Sequence, residues 1–367
     1  MSAAPSSIRL AVKDDDAAIR SLFRETTLSG KFEVTLEREP SFFDSQADAV
    51  QHDVFLATRN NQIVGCGSRV VRDAWWNGRE NRTAYLGDLR VHPSVQRRAG
   101  WLIRDGYRTL AQVASGSPAM LTWTAIFEEN AIARKVLTHR AAGLPPYLDR
   151  GRLFCPVIPV PRWAEVPHLS GVSWQNGRPE DWEEIAGFLN TQLRLRPLAP
   201  VHRAADFAEG VRWPCLEAHD FILARRPDRL IGLIAVWDLR RIRQVRPAAF
   251  HGWLKTLRRP INVVARWTGW PGLPATDTIL PIAFASFLAV ENEEPALARA
   301  LLLAARALAA RRGLGFLCAC SHENHPFAKV LKQLPAIASR GRIYEVGMES
   351  ARPAWPATAP HIEPALL

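Results

Sequence analysis

The sequence predicts two tandem α/β domains of α+β type, each a central mixed sheet flanked by helices. Three observations predict it. Asp53-Val-Phe-Leu-Ala-Thr-Arg59 with Gly65 returns as Asp220-Phe-Ile-Leu-Ala-Arg-Arg226 with Gly232, at one offset of 167. Glu129-Asn130 with Lys135-Val136-Leu137 returns as Glu323-Asn324 with Lys329-Val330-Leu331, and Arg150-Gly-Arg-Leu-Phe154 as Arg340-Gly-Arg-Ile-Tyr344. Between these landmarks, strand-like and helix-like apolar patterns alternate in the same order. A chain of 367 residues gives each copy enough length to bury its own core.

Each copy opens with a short strand and an amphipathic helix. In the first, Ile8–Leu10 leads to Asp14–Asp16 and then to Ile19, Leu22 and Phe23 at helical spacing. In the second, Val172–Trp174 leads to Pro179-Glu-Asp181 and then Trp182, Ile185 and Leu189. A hairpin follows: Val54–Thr58 and Ile63–Val70 around Asn60-Asn61, matched by Phe221–Ala224 and Leu230–Trp237 around Pro227-Asp228. Next come a central strand (Tyr85–Val91; Phe284–Val290), a helix (through Ala114; Pro295–Arg311) and a further strand (Leu121–Phe127; Phe316–Cys320). A late helix (Asn130–His139; Pro326–Leu334) and a final strand (near Leu153; Arg342–Val346) complete each copy. The expected domains are 1–158 and 172–349, joined by a proline-rich linker over 159–171 and followed by a loose tail over 350–367.

Directly after the first central strand runs Leu89-Arg-Val91-His-Pro93-Ser-Val-Gln96-Arg97-Arg98-Ala99-Gly100-Trp101-Leu102. With the element order, this run resembles the GNAT (GCN5-related N-acetyltransferase) superfamily, where a strand ending Val-x-Pro leads into Gln/Arg-x-x-Gly-x-Gly/Ala. The resemblance implies an acyltransferase of groups other than aminoacyl, taking acetyl-CoA or another acyl-CoA as co-substrate. It places the cofactor at Leu89, Arg90, Val91, Gln96, Arg97, Arg98, Ala99, Gly100, Trp101 and Asn130. The physical logic is that unpaired N–H groups and the helix dipole at a helix start attract a pyrophosphate, and Arg97 and Arg98 add charge-assisted bonds. Ala99 and Trp101, counted from Gln96, stand at the two glycine positions. In the second copy the turn reads Glu291-Asn292-Glu293-Glu294-Pro295, whose carboxylates repel a pyrophosphate, so that copy is read as degenerate.

The implied reaction is attack of an amine on the thioester, which requires a general base. Asp88, three residues before Val91 on a strand expected to be half-buried, is the candidate base, with burial expected to raise its pKa. The position usually held by the thiolate-protonating tyrosine falls on Leu137, leaving His139 and Tyr147 as substitutes. Asn130 also reads as a helix N-cap, repeated by Asn324.

The second copy carries about thirty additional residues before its central strand, a Trp/Arg-rich insertion near 245–275. Leu254, Leu257, Ile261, Val264 and Trp267 fall on one helical face, with Lys255, Arg258, Arg259 and Arg266 mostly opposite. The expected role is to pack on its own domain and lid the cleft between halves. An anionic membrane or RNA contact through 253–270 is the alternative. The formal charge of +11, mostly arginine, is compatible with an anionic partner or a solvated basic surface. Five cysteines show neither zinc spacing nor a disulfide framework and are expected to be buried thiols; no metal is expected. The start lacks the pattern of a signal peptide, and the expected location is cytoplasmic. The acceptor is expected to be a small-molecule or peptide amine. The alternatives are a tRNA-dependent aminoacyl transferase of the paired-GNAT type and a non-catalytic ligand-binding protein. The sequence sets no oligomeric state.

Overall fold

The computed structural model describes residues 6–28, 32–46, 48–98, 100–139, 143–349 and 353–367, with the side chains of Phe32, Arg97, Arg98, Trp253 and Leu254 outside that description. The first repeat comprises β1 (Ser6–Leu10), α1 (Asp16–Glu25), β2 (Phe32–Glu37), β3 (Gln51–Arg59), β4 (Gln62–Trp76), β5 (Arg79–Val91), α2 (Gly100–Gly116), β6 (Leu121–Phe127), α3 (Ala131–Thr138) and β7 (Tyr147–Pro159). The second comprises β8 (Ser173–Asn176), α4 (Trp182–Leu193), α5 (Ala204–Glu209), β9 (Phe221–Arg226), β10 (Arg229–Trp237), β11 (Gln244–Phe250), α6 (Gly252–Thr268), β12 (Ile282–Val290), α7 (Pro295–Arg311), β13 (Phe316–Cys318), β14 (Ser321–His322), α8 (Phe327–Lys332) and β15 (Ile337–Val346).

Both repeats contribute to one mixed sheet, ordered β1-β3-β4-β5-β6-β15-β7-β13-β12-β10-β9-β8, with β14 against β7. The last strands are exchanged. β15 of the second repeat lies between β6 and β7, while β7 of the first pairs with β13. The repeated Arg-Gly-Arg segments thus meet near the centre of the sheet, Arg342 opposite Arg152. Cross-strand ion pairs, Arg150 with Glu345 and Arg342 with Asp149, hold the exchange. Opposite charges across a ladder support pairing, and Glu345 is 1 % exposed, so removing that arginine would leave a buried carboxyl without its partner.

The repeat is exact in its packing. Gly65 lets α2 approach β4: a Cβ there would stand 2.5 Å from Leu102 Cδ1. Gly232, its counterpart, does the same for α7, with Leu301 Cδ1 at 3.0 Å. Both glycines are therefore close-approach residues rather than turn residues.

The central hairpin, the cysteines and the tail depart from the sequence reading. First, β4 and β5 run well beyond the expected strands and join at Asn77-Gly78, both at positive φ (51° and 77°), the signature of a type I′ hairpin turn. The hairpin reaches the second repeat, where Trp75 Nε1 donates to Asn190 Oδ1 at 3.2 Å. Second, Cys155 and Cys320 are joined as a disulfide rather than standing as free thiols; Cys66, Cys215 and Cys318 are free. Third, the end of the tail is buried rather than loose. Residues 359–366 are buried between the repeats, with Trp355 edge-on to Trp76 and the Ala365 carbonyl accepting from Arg243.

The insertion forms β11 and α6. β11 pairs with β2 in a separate two-stranded sheet that spans the repeats. The helix α6 carries Pro260 in its interior, and its apolar residues do not pack inward as expected: Leu257, Val264 and Trp267 are exposed, Trp267 by 87 %. Ala265 is the side chain that buries, and Trp163 of the linker donates to the Thr268 carbonyl. Leu254 and Trp253 lie outside the described side chains. No helix among the described residues is long and apolar enough to cross a membrane.

Candidate active site

The site begins where β5 leaves β6. The two strands pair in parallel only from Thr83 to Tyr85. Beyond that, β5 keeps its β4 partner but its β6-facing edge carries no ladder over residues 86–91; the Thr124 hydroxyl of β6 donates to the Leu86 carbonyl at 2.7 Å. On the β4 side the register slips between Cys66 and Ser68, which leaves Asp88 and Leu89 out of register. Asp88 adopts φ 53°, in the left-handed region that a non-glycine residue enters only when its surroundings impose it.

The second repeat builds the same device. β12 pairs with β13 only from Ile282 to Phe284, and its register against β10 slips between Leu233 and Ala235. Phe287, the counterpart of Asp88, has φ 57°. Its backbone N–H donates to the Glu363 carboxylate at 2.9 Å. The buried tail thus lines the second repeat's splay, facing Phe287, Leu288 and Cys320, and places the Glu363 carboxylate on the bulge amide.

In the first repeat Pro93–Arg98 forms a 3₁₀ turn leading to the 17-residue α2. The Ser94 N–H is bonded by His92 Nδ1 and the Val95 N–H by the His92 carbonyl, at 3.2 and 3.0 Å. Gln96 folds its side chain back onto the Val91 carbonyl at 3.3 Å. Among the described residues, a Cβ at Gly100 would meet nothing within 4 Å, so none of them closes the helix start there. Trp101, beside it, is half-buried and packs with Leu89, Val91 and Tyr107 on the cluster around Leu102 and Leu137. Ala99 and the side chains of Arg97 and Arg98 lie outside the described residues. A helix start open at Gly100, with the neighbouring indole drawn into the core, fits a pyrophosphate. The second repeat does not fit one. Its helix starts at Pro295, aligned with Gln96, and the turn's acids are held by Arg229 on Glu291 and Arg196 on Glu293.

Asp88 is where the structure corrects the sequence most. Burial alone would raise its pKa, as expected, but the guanidiniums of Arg38, Arg90 and Arg243 outweigh burial and hold it at about 2. Arg38 donates to Oδ1 at 3.0 Å, and Gln46 Nε2 and Ser68 Oγ donate to Oδ2 at 3.0 and 3.1 Å. A carboxylate so ionised and so bonded is a poor proton acceptor near neutral pH. Arg90 belongs to this cluster: its guanidinium lies 4.9 Å over the Phe23 ring. His52, also near, is kept neutral by burial with its pKa at about 4.

Of the two proposed substitutes for the missing tyrosine, His139 is exposed at the end of α3. Tyr147 lies in the cluster that contains Leu137, its hydroxyl bonded to that of Tyr107. Burial pushes Tyr107 up to about 12 and Tyr147 well above its ordinary value, so both hydroxyls stay protonated. Tyr107 was not singled out from the sequence. The signal was available: the chain has four tyrosines, and the other two, Tyr85 and Tyr344, lie on β5 and on the exchanged β15. Asn130 caps α3, accepting from the Ala133 N–H at 3.1 Å. Asn324 does not repeat this, since α8 starts three residues later with no side-chain cap. Among the described residues no group of His, Cys, Asp or Glu forms a metal site.

No protein-family model and no curated protein matches the sequence. Solved structures do match the fold. N-myristoyltransferase of Saccharomyces cerevisiae with bound myristoyl-CoA aligns over 93 % of this chain and 79 % of its own, with TM-score 0.59 and 10 % identity. A GCN5-related N-acetyltransferase from Sphaerobacter thermophilus aligns over 96 % and 98 %, with TM-score 0.57 and 11 % identity. The glucosamine N-acetyltransferase region of a fungal multi-domain GH3 β-N-acetylglucosaminidase aligns over 94 % and 38 %, with TM-score 0.59 and 13 % identity. The chain has the GNAT acyltransferase fold. Its two-repeat arrangement is consistent with the N-myristoyltransferase match, which spans nearly its whole length.

Proposed function

We propose that the protein is an N-acyltransferase that takes its acyl group from an acyl-CoA in the first repeat's cleft. The observation that carries this reading lies in the second repeat: the bulge amide of Phe287 binds a carboxylate oxygen. The same bulge in the first repeat belongs to Asp88, on the stretch of β5 that carries no ladder toward β6. An amide that holds an oxyanion in one copy supports the same electrostatic role toward a thioester oxygen in the other.

In this reading the open start of α2 at Gly100, with Gln96, Arg97 and Arg98 near it, receives the coenzyme's pyrophosphate. Acyl-CoA supplies a thioester carbonyl that an amine attacks; the amide bond forms and the carbon–sulfur bond breaks, the nitrogen giving up its proton to solvent water while the sulfur takes one. The Tyr107–Tyr147 pair is the proposed proton source, because it sits where Leu137 replaces the usual phenol and remains protonated. Asp88 is a positioning residue: its fixed negative charge orients the arginines around it. The second repeat serves as a scaffold, its own bulge amide occupied by the tail and its turn closed by ion pairs. The acceptor is an amine, small or peptidic.

Calorimetric titration with acetyl-CoA and with longer acyl-CoAs, alongside a thiol-release assay, tests this. Binding in the micromolar range with amine-dependent thiol release is expected. Absence of binding by every acyl-CoA would leave a protein that keeps the fold without the activity.

A further inference from the structure

Helix α6 turns polar groups toward the protein and apolar ones outward. Its inner side is held at Arg258, Asn262 and Ala265, spaced i, i+4 and i+7. The Arg258 guanidinium lies 5.4 Å over the Phe250 ring of β11. Asn262 donates to the Leu273 carbonyl at 2.9 Å and accepts from the Leu273 N–H at 2.7 Å. Ala265 is buried and Ile261 half-buried beside them. The outer side carries Val263, 56 % exposed, Val264, 60 % exposed, and Trp267. Leu257 and Pro260, both exposed, continue it toward the start of the helix. Lys255, Arg259 and Arg266 follow one another at i, i+4 and i+11, which sets them along one edge of the apolar stripe, next to Val263. All three are exposed, and among the described residues none of them makes an ion pair. The helix contains no acid, and Glu33 at its amino end is bonded by His251 at 3.0 Å. At the carboxyl end Trp163 of the linker is also exposed, its indole N–H donating to the Thr268 carbonyl at 3.0 Å.

An apolar stripe of this kind marks a surface that is covered in use, and unanswered cations along its edge call for an anionic partner. Valines offer no ring for a base to stack on, which disfavours single-stranded nucleic acid. A second copy of the chain would bring the same cations toward one another. Aliphatic side chains and tryptophan beside cations suit the boundary between lipid headgroups and acyl chains. We propose that α6 lies on an anionic lipid surface, with Val263, Val264 and Trp267 inserted at headgroup depth and Lys255, Arg259 and Arg266 on the headgroup charges. No residue of this surface belongs to the proposed acyltransfer site, and its binding is read without turnover.

The full chain is sedimented with sucrose-loaded vesicles of phosphatidylcholine alone, and of phosphatidylcholine with phosphatidylserine. The anionic vesicles are expected to bind about tenfold or more tightly than the neutral ones, and high salt to remove most of that difference. Arg259→Gln with Arg266→Gln should weaken binding about thirtyfold, roughly fivefold for each charge near the surface. Trp267→Ser should weaken it about tenfold through the lost indole burial. These side chains are exposed, so both proteins should keep the parent's urea midpoint. Arg82→Gln with Arg178→Gln removes two exposed arginines elsewhere and should bind within about twofold of the parent. An equal loss in that control would reduce the effect to net charge and overturn the proposal. So would a parent that sediments with neither vesicle or equally with both, or a Trp267→Ser protein that binds as the parent does. A lowered urea midpoint in Trp267→Ser would show a packed indole rather than a presented one, equally against it. Binding of polyuridine in place of vesicles, lost in Arg259→Gln with Arg266→Gln, would give the face to nucleic acid. A dimer seen by light scattering, dissociated by Trp267→Ser and indifferent to vesicles, would give it to a second copy. Either result refutes the lipid surface.

Discussion

Replacing Gly100 by Asp isolates the proposed pyrophosphate seat from the fold. Gly100 begins α2, a helix of 17 residues, and a Cβ there meets nothing within 4 Å among the described residues. A carboxylate at the first helical position gains roughly 0.3–1 kcal/mol from the dipole, and leaving glycine gains a few tenths more. The variant should therefore unfold at equal or slightly higher urea concentration than the parent. For a pyrophosphate the sign reverses. A like charge at about 6 Å, at an effective dielectric of about 20, costs roughly 3 kcal/mol, which corresponds to about a hundredfold weaker binding. Urea melts and calorimetry with coenzyme A on the same preparation measure both quantities. Parental affinity for coenzyme A in a fully stable Gly100→Asp protein would place the anion elsewhere and refute the reasoning. A marked loss of stability would mean that the start of α2 is not the open end described.

Asp88→Asn removes the one carboxylate that Arg38 bonds and should cost about 3–5 kcal/mol in chemical unfolding, as for other broken buried pairs; a loss under about 1 kcal/mol would contradict the electrostatic role given to it. The pH dependence follows from the same cluster. Asp88 has a folded pKa of about 2, below its ordinary value of 3.8, so its contribution is complete above about pH 4 and is lost as pH falls through 2. Its upper bound is about 2–3 kcal/mol. His52, lowered from 6.5 to about 4, erodes stability between those values, because the unfolded chain takes up its proton first. Melting temperatures that stay level from pH 7 to 2 would exclude both effects. Gly65→Ala should destabilise by about 1–3 kcal/mol through the 2.5 Å clash with Leu102, and Gly232→Ala by less; the reverse order in urea midpoints would break the packing argument. Glu363→Gln keeps an acceptor for the Phe287 amide and should melt near the parent, whereas Glu363→Ala should lose about 1–3 kcal/mol. Equal losses would mean that charge, rather than the amide bond, matters at that position.

The duplicated architecture was legible because its carriers are short-range. Period-2 strands, period-3.6 helices and the Arg-Gly-Arg segments recur within each copy, and Gly65 with Gly232 mark the same close approach twice. The Val91-x-Pro93 turn and the Asn130 cap are also local, since a cap and a turn bond residues a few positions away. The Asn77-Gly78 hairpin was written in the sequence by its strongest signal and passed over.

What the tertiary structure alone decided is set by contacts across large separations. The exchange of β7 and β15 depends on which strand edges meet, and the two final strands are alike enough in sequence that neither placement is favoured locally. The Cys155–Cys320 pairing follows from that exchange and spans 165 residues. The tail's burial needs a groove that exists only once both repeats are built. The sign of the Asp88 shift could not be read locally either: burial on β5 raises its pKa, and the arginines that reverse it arrive from the residue after β2, from β5 itself and from the second repeat. Local pattern determines elements because their bonds are near neighbours in the chain; charge balance and strand partnership are settled only when distant segments share one space.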